Sequence, residues 1–254
     1  AVASGMVPLA LGTQTAASTI RPAAYCGIIG FKPSFGLLPL KGVKPLAPSL
    51  DTVGLFTRSI GDLIMVFNAL KPSKTNDPDS GELVPKHYTE LVLSKLNGRW
   101  NTNIAPSCLE AVEHCYKVAE SRGCKLSSTP TEFLDFDRLT DDQVALMAAE
   151  ASSFLKSEVK TSHDKLSVHI RKLISDGEGV SEDRKIMFQE TKQKTHEFEK
   201  RLFHQSDILI CPSTLDTAPS LTEGTGNPLM SRAFTLLGLP SLSLPYGLAD
   251  NGMP

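Results

Sequence analysis

Gly12-Thr-Gln-Thr-Ala-Ala-Ser-Thr-Ile-Arg-Pro22 is the stretch from which the rest of the chain can be read. It gathers small and hydroxyl side chains around one serine, Ser18, directly after an apolar run and just before a proline. Val7–Gly12 is short and apolar enough for a buried strand. Arg21-Pro22 closes the stretch, because the residue before a proline is pushed away from helical backbone. Beyond it, Cys26–Lys32 contains Gly27-Ile-Ile-Gly-Phe31 and predicts a second buried strand. Upstream, Ala1–Ser4 reads as the last turn of a helix, with Gly5 just past its end.

Further out, strands and helices alternate. Pro33–Pro48 is rich in Pro and Gly and predicts a loop. Ile60–Leu70 predicts a helix with Leu63, Ile64, Phe67 and Leu70 on one face. Lys71–Pro85 is polar, holds three prolines and predicts an exposed connection. Two capping boxes, Ser107-Cys-Leu-Glu110 and Thr140-Asp-Asp-Gln143, predict helix starts. After the second, Val144, Met147, Ala148, Ala151, Phe154 and Leu155 recur at helical spacing. Cys124–Ser127 predicts a strand, Leu166–Ile174 a helix that stops at Gly177, and Ser181–Phe203 one long helix with a charged outer face. Asp207–Cys211 predicts a strand buried on both faces. A short helix over Met230–Leu237 and a strand over Ser241–Leu244 follow. This alternation predicts an α/β fold.

The 254 residues suffice for one large or two small domains. Twenty-six basic residues balance 28 acidic ones without a basic block, which argues against a nucleic-acid or membrane partner. The five cysteines form no C-x-x-C pair and are odd in number, which argues against a disulfide framework or structural zinc. Free thiols in a reducing, cytoplasmic compartment fit better. No apolar run reaches the ~18–20 residues of a membrane span. The six histidines show no metal-ligand spacing. Ser157-Glu-Val-Lys160 and Ser162-His-Asp-Lys165 fit S-x-x-K, but without its companion motifs they read as solvated helix faces. Gly177-Glu-Gly179 and Gly224-Thr-Gly226 lack the context of a nucleotide loop.

Ser18 is the candidate nucleophile. A serine hydroxyl attacks only when a base takes its proton, and the oxyanion that forms needs donors. The backbone N–H groups of a tight turn over Thr15, Ala16, Ala17 and Ser18 could supply them. Taken alone, a Ser/Thr-rich segment between strands is more often just a turn.

A resemblance changes that balance. Gly12–Gly27 followed by Ile-Ile-Gly-Phe-Lys-Pro-Ser34 resembles the signature of the amidase signature family of serine hydrolases. Pro48-Ser-Leu-Asp-Thr-Val-Gly54, Thr57-Arg-Ser59 and Asp62 extend the match. So do Asp207-Ile-Leu-Ile-Cys-Pro-Ser213, Thr217-Ala-Pro219, Thr225-Gly226 and Leu237-Gly-Leu-Pro240. The similarity is dense over residues 1–70 and 205–254.

The resemblance implies a mixed central sheet flanked by helices, in a single amidase-like domain over residues 1–254 whose helical part, about 105–204, shapes the cleft. It implies hydrolysis of a small-molecule carboxamide through an acyl-enzyme on Ser18, with Thr15–Ser18 as the oxyanion turn and no cofactor or metal. The family's Ser–Ser–Lys triad also needs a lysine and a bridging serine upstream of the nucleophile. Neither Ser4 nor Lys32 takes those roles, so an internal fragment, inactive by itself, is expected. A homodimer is compatible with the resemblance. So are an amidotransferase subunit that releases ammonia to a partner and a non-catalytic binding protein. Two departures bear on the site. Ala16-Ala17 stands where the family usually has Gly-Gly, and would be strained if either position required positive φ. Arg21 falls three residues after Ser18 rather than two, and reads equally as a clamp for a substrate carboxylate or as a brace on backbone carbonyls.

Overall fold

The computed structural model describes residues 1–72, 87–96, 103–128 and 135–254, apart from the side chains of Ser128 and His163. Strands β1 (Leu9–Gln14), β2 (Ile29–Lys32), β3 (Thr52–Thr57) and β7 (Ser241–Ser243) form an antiparallel sheet in the order β1-β3-β2-β7. In the β1–β3 register Gly12 faces Gly54 and Gln14 faces Thr52. Because side chains alternate across a sheet, Gly12, Gly54 and Gly30 share one face, and that face carries helix α1 (Ile20–Tyr25) with the segment leading into it. A Cβ on Gly54 would fall 2.1 Å from Thr19 Oγ1, so only a glycine lets the Ser18 segment lie this close to the central strands. Val2, Ala23 and Ile28 seal this face with Ala10 and Phe56. The opposite face is covered by α2 (Ile60–Leu70), whose Leu63, Val66 and Phe67 pack on Ile29, Leu55 and Phe31.

A second, parallel sheet has the order β5-β4-β6, from β4 (Val92–Lys95), β5 (Lys125–Ser128) and β6 (Ile208–Ile210). Helix α3 (Pro106–Ser121) crosses from β4 to β5, as parallel pairing requires. Tyr116 ties the crossover down: its hydroxyl lies 2.6 Å from Ser127 O and 3.1 Å from Leu93 O. The fold is α/β, with the antiparallel and parallel pairings carried by these two sheets and helices around them.

The main core lies where α4 (Phe136–Phe154) meets α7 (Glu182–Gln193), α8 (Thr195–Leu202) and α9 (Leu229–Leu236), around Phe188, Leu202, Leu236 and Leu237. Helix α6 (Val168–Glu178) crosses α4 closely, and α5 (Lys156–Ser162) continues α4 outward with no buried residue. Both S-x-x-K pairs lie in this outer segment, where Glu158 bonds to Lys44 and Ser157.

Several boundaries differ from the sequence reading, each for a local reason. Ala1–Ser4 form a turn rather than an assigned helix, closed at Gly5 with φ +77°, whose N–H donates to Val2 O while Met6 N–H donates to Ala1 O. Helix α3 starts at Pro106, whose missing N–H costs nothing at a first helical position, so Ser107 caps nothing. Helix α4 starts four residues before Thr140, capped by Asp135, whose Oδ1 accepts from Arg138 N. Gly177 does not stop α6 but sits within it, against the backbone of α4. The 181–203 helix breaks at Lys194 into α7 and α8. On α2 it is Val66 that packs inward with Leu63 and Phe67, while Ile64 and Leu70 stay exposed. Strand β6 has one neighbour among the described residues and is half exposed, not buried on both faces. The Lys71–Pro85 connection lies outside the described residues from position 73 onward.

Candidate active site

The Ser18 turn is built by hydrogen bonds that all reach it from other elements. Gln14, the last residue of β1, is fully buried. Its Oε1 accepts from Thr19 N at 2.9 Å and Ile20 N at 3.1 Å, closing a ring over Thr15–Ser18. Its Nε2 donates to Thr235 Oγ1 of α9 at 3.0 Å, and Thr235 Oγ1 donates to Ala16 O at 2.8 Å. From α4, Gln143 Nε2 donates to Thr15 O at 2.8 Å. Ala17 O accepts from Arg21 N at 3.0 Å. Thr15 Oγ1 donates to Asp51 Oδ1 at 2.5 Å, and Asp51 Oδ2 accepts from the N–H groups of Leu46 and Ala47.

This arrangement has a polarity. The carbonyls of Thr15, Ala16 and Ala17 are all occupied inside the protein, whereas no described residue accepts a bond from the N–H of Ala16, Ala17 or Ser18. Ser18 is exposed, and Ala17 beneath it is buried. A turn with its carbonyls tied inward and its N–H groups free is able to receive a negative oxygen. All positive-φ residues described are glycines, so Ala16 and Ala17 sit in ordinary backbone and the strain raised by the missing Gly-Gly does not arise.

Arg21 is half-buried in the mouth of the site. Its Nη1 donates to Gly226 O at 2.7 Å and its Nη2 to Thr225 Oγ1 at 3.1 Å, so it does brace the Thr225-Gly226 loop. Burial lowers its pKa, partly offset by Tyr25. Arg232 of α9 donates to Gln143 Oε1, and its pKa is lowered by burial and then by Arg21. At the end of β2, Lys32 is fully buried with Pro33 O as the acceptor for its Nζ at 3.0 Å, and burial pulls its pKa down to about 7.

The structure thus brings Thr15, Ala16, Ala17 and Ser18 into one turn with Arg21 in the helix that follows, and adds Gln14, Asp51, Gln143, Arg232 and Thr235, to which the sequence reading had given no role in the site. Gln14 carried a signal, as a polar residue ending an apolar strand. Gln143 and Arg232 carried none, since their partners are 128 and 89 positions away.

The fold and this turn together define an α/β protein whose exposed serine stands on an N–H-lined loop between two strands. The chain belongs to the Amidase family, whose model matches residues 1–254. It is 27% identical to a glutamyl-tRNA(Gln) amidotransferase chain of Thermosynechococcus vestitus, over 100% of this chain and 60% of the relative. Among solved structures it is similar to a crystal structure of an amidase, with TM-score 0.82 and 24% identity over 100% of this chain and 58% of the other. A second match, TM-score 0.84 and 23% identity over 100% and 59%, is an inhibitor-bound member of a vestigial complex linked to the origins of an s-triazine catabolic enzyme. The structural likenesses bear on the fold. The chain spans about 60% of the length of the curated relatives it matches.

Proposed function

We propose that this chain carries the nucleophile and oxyanion turn of a hydrolase that cleaves a carboxamide C–N bond. The observation that carries the reading is the polarity of the turn: the carbonyls of Thr15, Ala16 and Ala17 are held by other groups, and free N–H groups stand beside an exposed Ser18. Ser18 Oγ would attack the carbonyl carbon and pass its proton to a base. The oxyanion would sit on the N–H groups of Ala16–Ser18, the amine or ammonia would leave with a proton, and water would release the acid from the acyl ester. Arg21, braced through two of its donors, keeps others for a substrate carboxylate. Helices α3 to α8 would shape the cleft, a role supported by the reach of Gln143 from α4 to Thr15. Free cysteines support a reducing, cytoplasmic setting.

Among the described residues no side chain hydrogen-bonds Ser18 Oγ. The 254 residues alone are therefore expected to hydrolyse no amide at a useful rate, and amide turnover lost on Ser18→Ala would contradict that. The reading as a whole is tested on the protein expressed from its complete reading frame. A fluorophosphonate should label Ser18, and Ser18→Ala should remove the adduct; a wild-type protein that does not label would overturn the reading. The amidotransferase relatives favour a second reading, an ammonia-releasing component of a larger enzyme. That one requires a stable hetero-complex, so an isolated protein active by itself counts against it.

A further inference from the structure

The N–H groups of Ala16 and Ala17 are aimed by side chains from two distant helices. A peptide unit is planar and trans, so its C=O and N–H point in opposite directions. Whatever holds the carbonyl of Thr15 therefore sets the direction of the Ala16 N–H. Whatever holds the carbonyl of Ala16 sets that of the Ala17 N–H. The Ser18 N–H is set locally, because Ala17 O accepts from Arg21 N at 3.0 Å. The other two are set from far along the chain: Gln143 Nε2 of α4 donates to Thr15 O at 2.8 Å, and Thr235 Oγ1 of α9 donates to Ala16 O at 2.8 Å.

A further partner forces the direction of each bond. A guanidinium only donates, so Arg232 engages Gln143 through Oε1 and leaves Nε2 to face Thr15 O. Gln14 Oε1 accepts from the N–H groups of Thr19 and Ile20, which leaves its Nε2 to donate to Thr235 Oγ1 at 3.0 Å. A hydroxyl has one proton. With Gln14 donating to it, Thr235 gives that proton to Ala16 O. Gln14, Gln143 and Thr235 are all buried, so removing one of them leaves a buried polar group unpaired.

We propose that Thr235 and Gln143 are positioning residues of the Ser18 site: each fixes one peptide plane, Thr235 holding the Ala17 N–H and Gln143 the Ala16 N–H on the oxyanion. Both act through the backbone. Misplacing a group by about 1 Å can cost ~10²-fold in rate, so their loss falls on the chemical step and not on binding. The inference rests on the hydrolase reading for what the N–H groups receive, but the aiming itself can be tested without turnover.

The test uses the protein from its complete reading frame and a fluorophosphonate, whose phosphoryl oxygen gains charge when Ser18 attacks. Thr235→Val keeps the shape and removes the hydroxyl. It should lower the limiting labelling rate kinact about 10- to 100-fold and leave the half-saturating concentration KI within about twofold. Thr235→Ser, which keeps the hydroxyl, should restore most of the rate. Gln143→Met should show the same split and carries the test if the valine variant does not fold. A loss confined to KI, a serine variant as slow as the valine one, or both isosteric variants at the wild-type rate overturns the proposal. Crystal structures read the aim directly. The Ala16–Ala17 peptide should rotate in Thr235→Val, or the Thr15–Ala16 peptide in Gln143→Met, and peptides that keep their orientation overturn the proposal. If wild-type Ser18 labels and the peptides stay in place, only the positioning role fails. If the peptides rotate and wild-type Ser18 does not label, only the hydrolase reading fails.

Discussion

Lys32 shows how much one residue's surroundings decide. It stands in the Phe-Lys-Pro-Ser stretch, and its amine is enclosed on the strand with a single carbonyl as partner. Enclosure disfavours the ammonium and brings the pKa to about 7 from 10.5. In the unfolded chain the amine stays protonated up to its ordinary value. Between about 7 and 10.5 the unfolded state therefore binds more protons, and stability contributed by this site rises with pH. Below about 7 both states are charged and the full burial penalty is present. Lys32→Met should therefore raise the melting temperature most at pH 6–7, with the gap over wild type closing toward pH 10. Each unit of closure corresponds to roughly 1.4 kcal/mol at most. Thermal melts of both proteins across that range check this, and a gap that stays constant would contradict it. The sequence placed Lys32 on a strand but could not show that its amine is dry, because burial depends on what distant parts of the chain bring against it.

At the level of elements, α4 and α6 approach closely at Gly177. A Cβ on Gly177 would come 1.9 Å from Ala148 O, a backbone atom that cannot swing aside. Alanine in a helix interior normally gains up to ~1 kcal/mol over glycine. Here the forced separation of the helices should outweigh it, giving a net loss of roughly 1–3 kcal/mol for Gly177→Ala. Urea unfolding would measure it, and a variant as stable as wild type would show that the helices part freely. The same glycine illustrates the limits of local reading. By sequence it is a helix stop; in the structure it is a packing position, because α4 lies across it. The two capping boxes failed for related reasons. Pro106 and Asp135 supplied earlier starts, and the Gln143 side chain is engaged by Thr15 and Arg232 rather than by its own helix end.

Across the whole molecule, the Ser18 turn is where distant parts of the chain meet. Helix α4 holds Thr15 O through Gln143, and α9 holds Ala16 O through Thr235. Two adjacent carbonyls of one turn thus depend on two helices about 90 residues apart in sequence, residues 143 and 235 being their contacts. Partners that share a turn do not act independently. A double-mutant cycle of Gln143→Ala and Thr235→Val, read by urea unfolding, should give a coupling of about 0.5–3 kcal/mol. Strict additivity would mean that each carbonyl is held without reference to the other.

The sequence by itself determined the α/β class, the two strands around the Ser18 stretch, the turn and its candidate nucleophile. All of these rest on local chemistry, namely apolar runs of strand length with small residues and hydroxyls within a few positions of one another; Arg21-Pro22, read as closing the stretch, instead lies in the first turn of α1. Only the tertiary structure decided that the turn's carbonyls point inward, that Ala16 and Ala17 are unstrained, and that Arg232 reaches Gln143. Those features depend on groups brought together across 89 to 221 positions, and no periodicity or spacing records which distant side chain will reach a given carbonyl.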